Sequence, residues 1–312
     1  MLKENLSVLD KLLMENLDGK KIILFGASSR GKRVLNNLVT KGFKKEYLVF
    51  CDNDSKKYGN SVHGVKIINI SDFEKNQKNI SIIISSSMFN EIKQQLENLG
   101  FTNIYYFHNL LFSDQIYEKF GSEFLKILEA VKEKCFMDDD EKYTLYSSMK
   151  AVSQLDGSIA EVGTYKGGSA KILCELKDQK KIHLFDTFEG LPQPSNKELV
   201  KAGWLSDTSL KSVKNYLLEY NNVFFYKGYF PQTARNLTSE KFCLVHLDTD
   251  LYQSTLDSLE FFWPKMVKEG RIISHDYNAS NIGGVKQAFE EFFKDSPEKI
   301  IEIADTQSMV IK

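Results

Sequence analysis

The chain is short of the features that mark several large protein classes. Its four cysteines, Cys51, Cys135, Cys174 and Cys243, are scattered over 312 residues. No two have C-x-x-C spacing, which argues against a zinc framework or a redox motif and for buried, reduced thiols. No apolar run approaches the roughly 18 residues of a membrane span. There is no basic excess: 41 Lys+Arg face 42 Asp+Glu, for a net charge of -1. A general nucleic-acid binder usually shows such an excess. The opening stretch MLKENLSVLDKLL carries acids among its apolar positions and reads as an amphipathic helix, not a signal peptide. These absences lead us to expect a cytoplasmic protein that binds neither nucleic acid nor membrane. A homo-oligomer stays open.

What is present points to an ordinary folded enzyme-sized chain. Hydrophobic residues make up 42% and charged residues 27%, which excludes an intrinsically disordered chain. The length suggests two domains. Leu2, Leu6, Leu9, Leu13 and Leu17 recur at helical spacing until Asp18-Gly19. Strands are then expected at 21–27, 47–54, 65–70, 80–86 and 103–108, with helices at 30–41 and 89–99. This is a parallel βαβ pattern. We place a Rossmann-like domain at 1–112, a connecting helix at 113–135 and a second domain at 136–312. The acidic run Asp138-Asp139-Asp140-Glu141 is read as the solvated start of a helix, where acids suit the helix dipole. Seven strands follow, at 158–164, 181–187, 223–229, 242–248, 271–277, 299–305 and 308–312. Helical segments separate the first six. The last two are joined too tightly for a parallel crossover, so the final strand should be antiparallel.

Several strand ends of the second domain carry chemistry. Glu161-Val162-Gly163-Thr164-Tyr165-Lys166-Gly167-Gly168-Ser169 follows an apolar strand and opens a helix. Gly163 can turn sharply, and Gly167 and Gly168 let a ligand approach the backbone. About 20 residues on, Asp186 is placed to accept hydrogen bonds from ribose hydroxyls. The alternative is a loop acid capping a turn. The fourth strand ends in His246-Leu247-Asp248-Thr249-Asp250 and the fifth in Ser274-His275-Asp276-Tyr277. Asp248 and Asp276 could converge from adjacent strands, and two hard oxygen ligands with room for water suit Mg²⁺. The alternative is two helix-capping acids with His275 as a satisfied neighbour.

These motifs carry a resemblance. EVGTYKGGSA, FDTFEGLP, SDTSLKSV, KGYFPQT, HLDTDLYQST and HDY stand in an order and spacing similar to those of the TylF/MycF family of sugar O-methyltransferases. These are class I enzymes that use S-adenosylmethionine (SAM) and a divalent metal. The resemblance covers residues 140 to 312. With the βαβ pattern of the first half this gives an α/β chain of two doubly wound domains, and the resemblance implies that the second is a seven-stranded class I methyltransferase sheet with its last strand antiparallel. It implies a sugar or nucleotide-sugar acceptor. The expected cofactor-binding set is Glu161, Gly163, Gly167, Gly168, Ser169, Asp186, Thr187, Asp207 and Thr208, with Asp186 on the ribose and Asp207 and Thr208 beside the adenine or closing over the cofactor. The expected metal set is Asp248, His275 and Asp276, and the expected catalytic residues are Asp248 and His275. There is one departure: the family commonly has two adjacent acids before the final Tyr, and the first is His275 here. Imidazole is a poor Mg²⁺ ligand. Either the metal keeps an extra water, or Mn²⁺ is accepted, or His275 acts as a base.

The first domain has a relaxed dinucleotide-binding turn, Gly26-Ala27-Ser28-Ser29-Arg30-Gly31, with Asp52 at the next strand end. It resembles, more loosely, Rossmann-type domains attached to bacterial enzymes that modify nucleotide sugars and surface glycans. A nucleotide pocket at Gly26, Ser28, Arg30, Gly31 and Asp52 and a degenerate domain kept for packing are both open. The competing functions are methylation of a non-sugar metabolite, an NAD-linked oxidoreductase and a nucleotide-sensing module. Trp204 is read as part of a lid or as an ordinary packing aromatic, and Trp263 as a core residue. His63, His108 and His183 are read as structural.

Overall fold

The structure is a computed structural model that describes residues 8–73, 80–86, 88–106, 114–194, 200–279, 283–304 and 306–312. Leu2, Leu6, His108, the boundary at residue 112 and the far ends of the strands expected at 103–108 and 299–305 lie outside the described residues. The chain divides into two compact units, Met1–Gly121 and Ser122–Lys312. The helix expected over 113–135 is instead two helical segments within Asp114–Val131. They are broken where Gly121 takes φ 77° and ψ 158°, a left-handed conformation that glycine adopts at little cost.

The first unit is a six-stranded sheet of β1 (Ile22–Phe25), β2 (Leu48–Cys51), β3 (Ser61–Val62), β4 (Val65–Ile68), β5 (Ser81–Ile84) and β6 (Ile104–Tyr106), in the order β3-β4-β2-β1-β5-β6. All but β3 run parallel. Both faces are covered. Ile22, Leu24, Phe50 and Ile83 join one apolar cluster, while Ile23, Phe25, Cys51, Ile82 and Ile84 join the other. That alternation is why these strands read as unbroken apolar runs. Strand β3 was not expected. It pairs with β4 through a two-residue turn in which His63 (φ 47°) and Gly64 (φ 83°) are both left-handed, the geometry that suits strand twist in a hairpin.

The second unit holds β7 (Ser158–Val162), β8 (Ile182–Asp186), β9 (Val223–Lys227), β10 (Phe242–Leu247), β11 (Met266–Ser274), β12 (Ile301–Glu302) and β13 (Ser308–Ile311). Their order is β12-β13-β11-β10-β7-β8-β9. As expected, only the final strand, β13, is reversed; it lies between β11 and β12 and is antiparallel to both. Two expectations need correcting. A short 3-10 turn, Gln232–Ala234, connects β9 to β10 in place of a helix. The strand expected over 299–305 shrinks to Ile301–Glu302, because it lies at the sheet edge and turns back at once, Ile303 N–H donating to the Gln307 carbonyl.

From β7 the chain builds outward to β8 and β9, then returns to place β10 on the other side of β7. The direction of winding therefore switches between β7 and β10. In open α/β sheets the crevice at the carboxyl ends of such strands is where ligands bind.

Candidate active site

The tips of β7 and β10 touch. Gly163 leaves β7 at φ +90°, and a Cβ there would lie 1.8 Å from the Asp248 carbonyl oxygen. No side chain fits, so this glycine fixes the closeness of the two strand ends. Gly168, the first residue of helix α6 (Gly168–Leu176), is equally constrained: a Cβ would meet Cys135 Cα at 2.4 Å. Gly167 caps that helix in a left-handed conformation, φ 83°, and Ser169 is buried in its first turn.

Around the turn, each expected cofactor residue has a definite position. Glu161 on β7 has no exposed surface, and its Oε1 lies 3.0 Å from Nδ1 of the equally buried His246 on β10. Among the described residues, its Oε2 and the buried Thr164 Oγ1 have no hydrogen-bond partner. Asp186 ends β8 and accepts from the Tyr165 N–H at 2.7 Å and the Phe188 N–H at 2.5 Å. Burial pushes its carboxyl up despite those bonds. Thr187 donates its hydroxyl to the Gly190 carbonyl at 2.7 Å. Asp207 accepts from Tyr165 OH and from Lys166 Nζ, both at 2.5 Å, and Thr208 Oγ1 donates to the Tyr165 carbonyl at 2.6 Å. These bonds fasten the 207–208 segment across the glycine turn. Trp204 is 43% exposed, while its carbonyl accepts from the Leu191 N–H.

On the other side of Gly163, Asp248, His275 and Asp276 converge. Nδ1 of His275 lies 3.0 Å from Asp248 Oδ1 and 2.9 Å from Asp276 Oδ2. One donor atom from each residue falls within 4.8 Å of the others. Two residues that sequence reasoning missed complete the cluster. Glu141, in the first turn of helix α5 (Asp139–Ala151), is only 2% exposed, so the acidic run is not simply a solvated helix start. Its Oε2 lies 3.3 Å from His275 Nε2 and accepts from the Asp138 N–H, and its Oε1 accepts from Thr306 Oγ1 at 2.6 Å. The Asp-x-x-Glu spacing of Asp138 and Glu141 is the one signal in the sequence, a capping box. Asp250 is buried beside Asp276 and Asp248.

The charges are tightly balanced. Burial alone would lower the His275 basicity, but the carboxylates of Asp248, Asp276 and Glu141 raise it well above the ordinary imidazole value. Burial alone would raise Glu141 and Asp248. The neighbouring His275 ring outweighs it and holds both carboxyls below their usual range. Asp250 is pushed well up, first by burial and then by Asp276 and Asp248.

In the first unit the turn after β1 is built to a similar plan. Gly31 sits where a Cβ would be 2.0 Å from the Gly26 carbonyl, and Ser28 caps helix α2 (Ser29–Thr40). Asp52 accepts from the Ala27 N–H at 2.8 Å and from Lys57 Nζ at 2.9 Å. Arg30 is half-buried in the first turn of that helix. His63 lies 3.0 Å from Asn36 Oδ1, His183 stacks on Phe224 and Tyr226, and Trp263 packs edge-on against Phe293.

A seven-stranded sheet of this order, with a glycine turn after its central strand and acids at the tips of the flanking strands, defines a class I methyltransferase domain. The family is narrower than that. The chain belongs to the macrocin-O-methyltransferase (TylF) family, whose profile matches residues 144–306, just over half of its length. Residues 18–104 match the C2185-like N-terminal family. The chain is similar to the 8-demethyl-8-(2,3-dimethoxy-alpha-L-rhamnosyl)-tetracenomycin-C 4'-O-methyltransferase of Streptomyces olivaceus, with 27% identity over 138 residues, 39% of this chain and 53% of that protein. It is also similar to the demethyldecarbamoylnovobiocin O-methyltransferase of Streptomyces niveus, with 23% identity over 148 residues, 40% and 54% of the two chains. The chain thus spans about half the length of the curated relatives it matches. Among solved structures, the O-methyltransferase NovP shares the fold, with a TM-score of 0.50 and 21% identity over 57% of this chain and 81% of that one.

Proposed function

We propose that the chain is a SAM-dependent, divalent-metal-dependent O-methyltransferase that acts on a hydroxyl of a sugar, a nucleotide-linked sugar or a glycan precursor. The observation that carries this reading is the meeting of Asp248, His275 and Asp276 directly beside the turn formed by Glu161, Gly163 and Asp186. Family membership and two relatives named as O-methyltransferases, one of them for a rhamnosyl-bearing compound, support it.

The residues present fit both groups. Glu161 Oε2 and Thr164 Oγ1 are buried and have no partner among the described residues, an arrangement that costs free energy unless a ligand supplies the missing partner. The Asp186 carboxylate already accepts two backbone bonds, and a carboxylate has about four acceptor sites, so capacity remains for ribose hydroxyls. Donor atoms around an octahedral ion with bonds near 2.1 Å lie about 3.0 Å apart along neighbouring edges. The 2.9 and 3.0 Å separations of His275 Nδ1 from Asp276 and Asp248 match that spacing.

SAM, when bound, supplies a methyl carbon on a neutral-leaving sulfonium. A divalent metal, when held by Asp248, His275 and Asp276, supplies a charge that makes the acceptor hydroxyl more acidic. The protein's own contribution is position and proton transfer. Glu161, Gly163, Asp186 and the strapped Asp207–Thr208 segment fix the donor, and alignment of the reacting atoms at about 3–3.5 Å can remove several kcal/mol of barrier. Asp248, held ionised by His275, accepts the hydroxyl proton. His275, with one ring nitrogen on Glu141 and the other on the two aspartates, has no free lone pair and leaves the base role to Asp248. In the first unit, a nucleotide or nucleotide-sugar pocket at Gly26, Ser28, Arg30, Gly31 and Asp52 would require Lys57 to release Asp52.

Calorimetry with SAM and with NAD, followed by labelled methyl transfer to a panel of nucleotide sugars and non-sugar hydroxyls, tests the reading. SAM binding without NAD binding and label on a sugar hydroxyl is expected. NAD binding alone would overturn it, as would SAM binding with no transfer to any acceptor in Mg²⁺ or Mn²⁺.

A further inference from the structure

Glu141 is remote in sequence from every motif that carries the proposed chemistry, yet it is buried against His275. A carboxylate placed on one ring nitrogen of a histidine dictates what the other nitrogen does. When Nε2 donates its proton to Glu141 Oε2, at 3.3 Å, the Nδ1 lone pair is left facing Asp248 Oδ1 and Asp276 Oδ2. Metal-binding histidines are commonly held in this way, the far N–H donated to a carboxylate that fixes the tautomer and orients the ring. Glu141 is itself held from both sides. Its Oε1 accepts from Thr306, and its Oε2 accepts from the Asp138 N–H. It is therefore a pre-set acceptor, fixed in place by the helix start and by the chain just before β13.

We infer that Glu141 is a positioning residue that turns His275 Nδ1 toward Asp248 and Asp276, creating a mixed nitrogen–oxygen site that prefers Mn²⁺ or Co²⁺ to Mg²⁺. This rests on the metal-dependent reading above and deepens it. The preference follows from donor chemistry: imidazole nitrogen suits transition metals, whereas Mg²⁺ takes oxygen ligands and gives up water reluctantly. Two carboxylates alone would not discriminate in this way. In the metal-free protein a ring protonated at both nitrogens balances Asp248 and Asp276, so a metal binds by displacing the Nδ1 proton while the Nε2 proton stays on Glu141.

The test uses the full chain, stripped of metal by a chelator and titrated with Mn²⁺, Co²⁺ and Mg²⁺. Bound Mn²⁺ is read by electron paramagnetic resonance, including the nitrogen coupling from a coordinated imidazole. Wild type is expected to show that coupling and to bind Mn²⁺ more tightly than Mg²⁺. Glu141→Gln should weaken Mn²⁺ binding by about 10–100-fold while leaving SAM affinity unchanged. Asp138→Ala, which weakens the same helix start without touching His275, should leave Mn²⁺ affinity within about twofold. His275→Asp should lose the nitrogen coupling and shift preference toward Mg²⁺, and in that background Glu141→Gln should no longer weaken binding. This second pair keeps the test decisive if the single Glu141 variant misfolds. Unchanged Mn²⁺ affinity in Glu141→Gln, absence of nitrogen coupling, or no metal binding by wild type would each overturn the inference. The functional reading fails separately, through SAM binding without methyl transfer, so the two failures are distinguishable.

Discussion

Nδ1 of His246 and Oε1 of Glu161 are 3.0 Å apart, and neither residue has any exposed surface. The pair joins β7 to β10 where the sheet changes its winding direction. Replacing His246 with Phe leaves the Glu161 carboxylate buried without this partner. Such a loss costs about 1–3 kcal/mol, and Glu161 also loses the group that orients it. Urea denaturation of the second unit should show that destabilisation, and calorimetry should show weaker SAM binding. Unchanged stability would mean that the pair does not hold the strand tips.

Two glycines should respond in opposite ways to alanine. At Gly163 a Cβ would be 1.8 Å from the Asp248 carbonyl oxygen and the backbone is left-handed. Gly163→Ala should cost about 3 kcal/mol and abolish SAM binding. At Gly283, the first residue of helix α9 (Gly283–Phe292), nothing lies within 4 Å of an added Cβ. Gly283→Ala should be neutral or slightly stabilising, by up to about 1 kcal/mol, because alanine favours helix over glycine. Thermal denaturation of both variants checks the contrast.

The thiols should be inert in the native protein. Burial pushes Cys51 and Cys174 up to about 12 and Cys135 up to about 11. Since the thiolate is the nucleophile, mass spectrometry after iodoacetamide treatment at mildly alkaline pH should find these three unmodified. The same reagent in urea should modify them fully. Rapid native labelling of Cys174 would show that the second core opens locally.

The metal-free protein should lose stability toward alkaline pH. His275 is held well above its ordinary 6.5 by Asp248, Asp276 and Glu141, after burial has acted the other way. Its folded value exceeds its unfolded one, so its contribution is complete below 6.5 and is lost as pH rises through the raised value. Glu141 has the opposite sign: depressed from 4.5, it contributes above 4.5, and that contribution is lost as pH falls through its lowered value. Scanning calorimetry of chelator-treated protein should show the second unit's transition falling on the alkaline side. Saturating Mn²⁺, which takes the place of the Nδ1 proton, should flatten that limb. A flat alkaline limb without metal would contradict the charge balance described for His275.

Much of the fold was legible because both sheets are covered on both faces. Strands such as Ile22–Phe25, Ser81–Ile84 and Phe242–Leu247 are buried along their whole length, so they appear as short apolar runs with sharp ends. The reversed final strand followed from the shortness of its connection alone. Elements with little burial were not legible. Strand β3 is two residues long, and β12 is an exposed edge, with Ile301 43% accessible. Gly163, Asp186, Asp248 and Asp276 could be placed near one another from the sequence because they follow strands whose tips the sheet order brings together. Glu141 could not, because its partner His275 is 134 positions away and an acid at a helix start has an adequate local explanation. Asp250 was passed over because its burial depends on Asp248 and Asp276 folding around it.

We propose that Asp248 takes part in the transfer itself and is not merely part of the scaffold. The most direct measurement is methyl transfer by Asp248→Asn, made alongside calorimetric SAM affinity on the same preparation. Asparagine keeps the shape but lacks the charge needed to accept a proton or hold a cation. We expect SAM affinity to stay within about twofold and the transfer rate to fall by 10²–10⁴, the usual range for losing a positioned base. Retained transfer together with retained SAM affinity would remove Asp248 from the reaction.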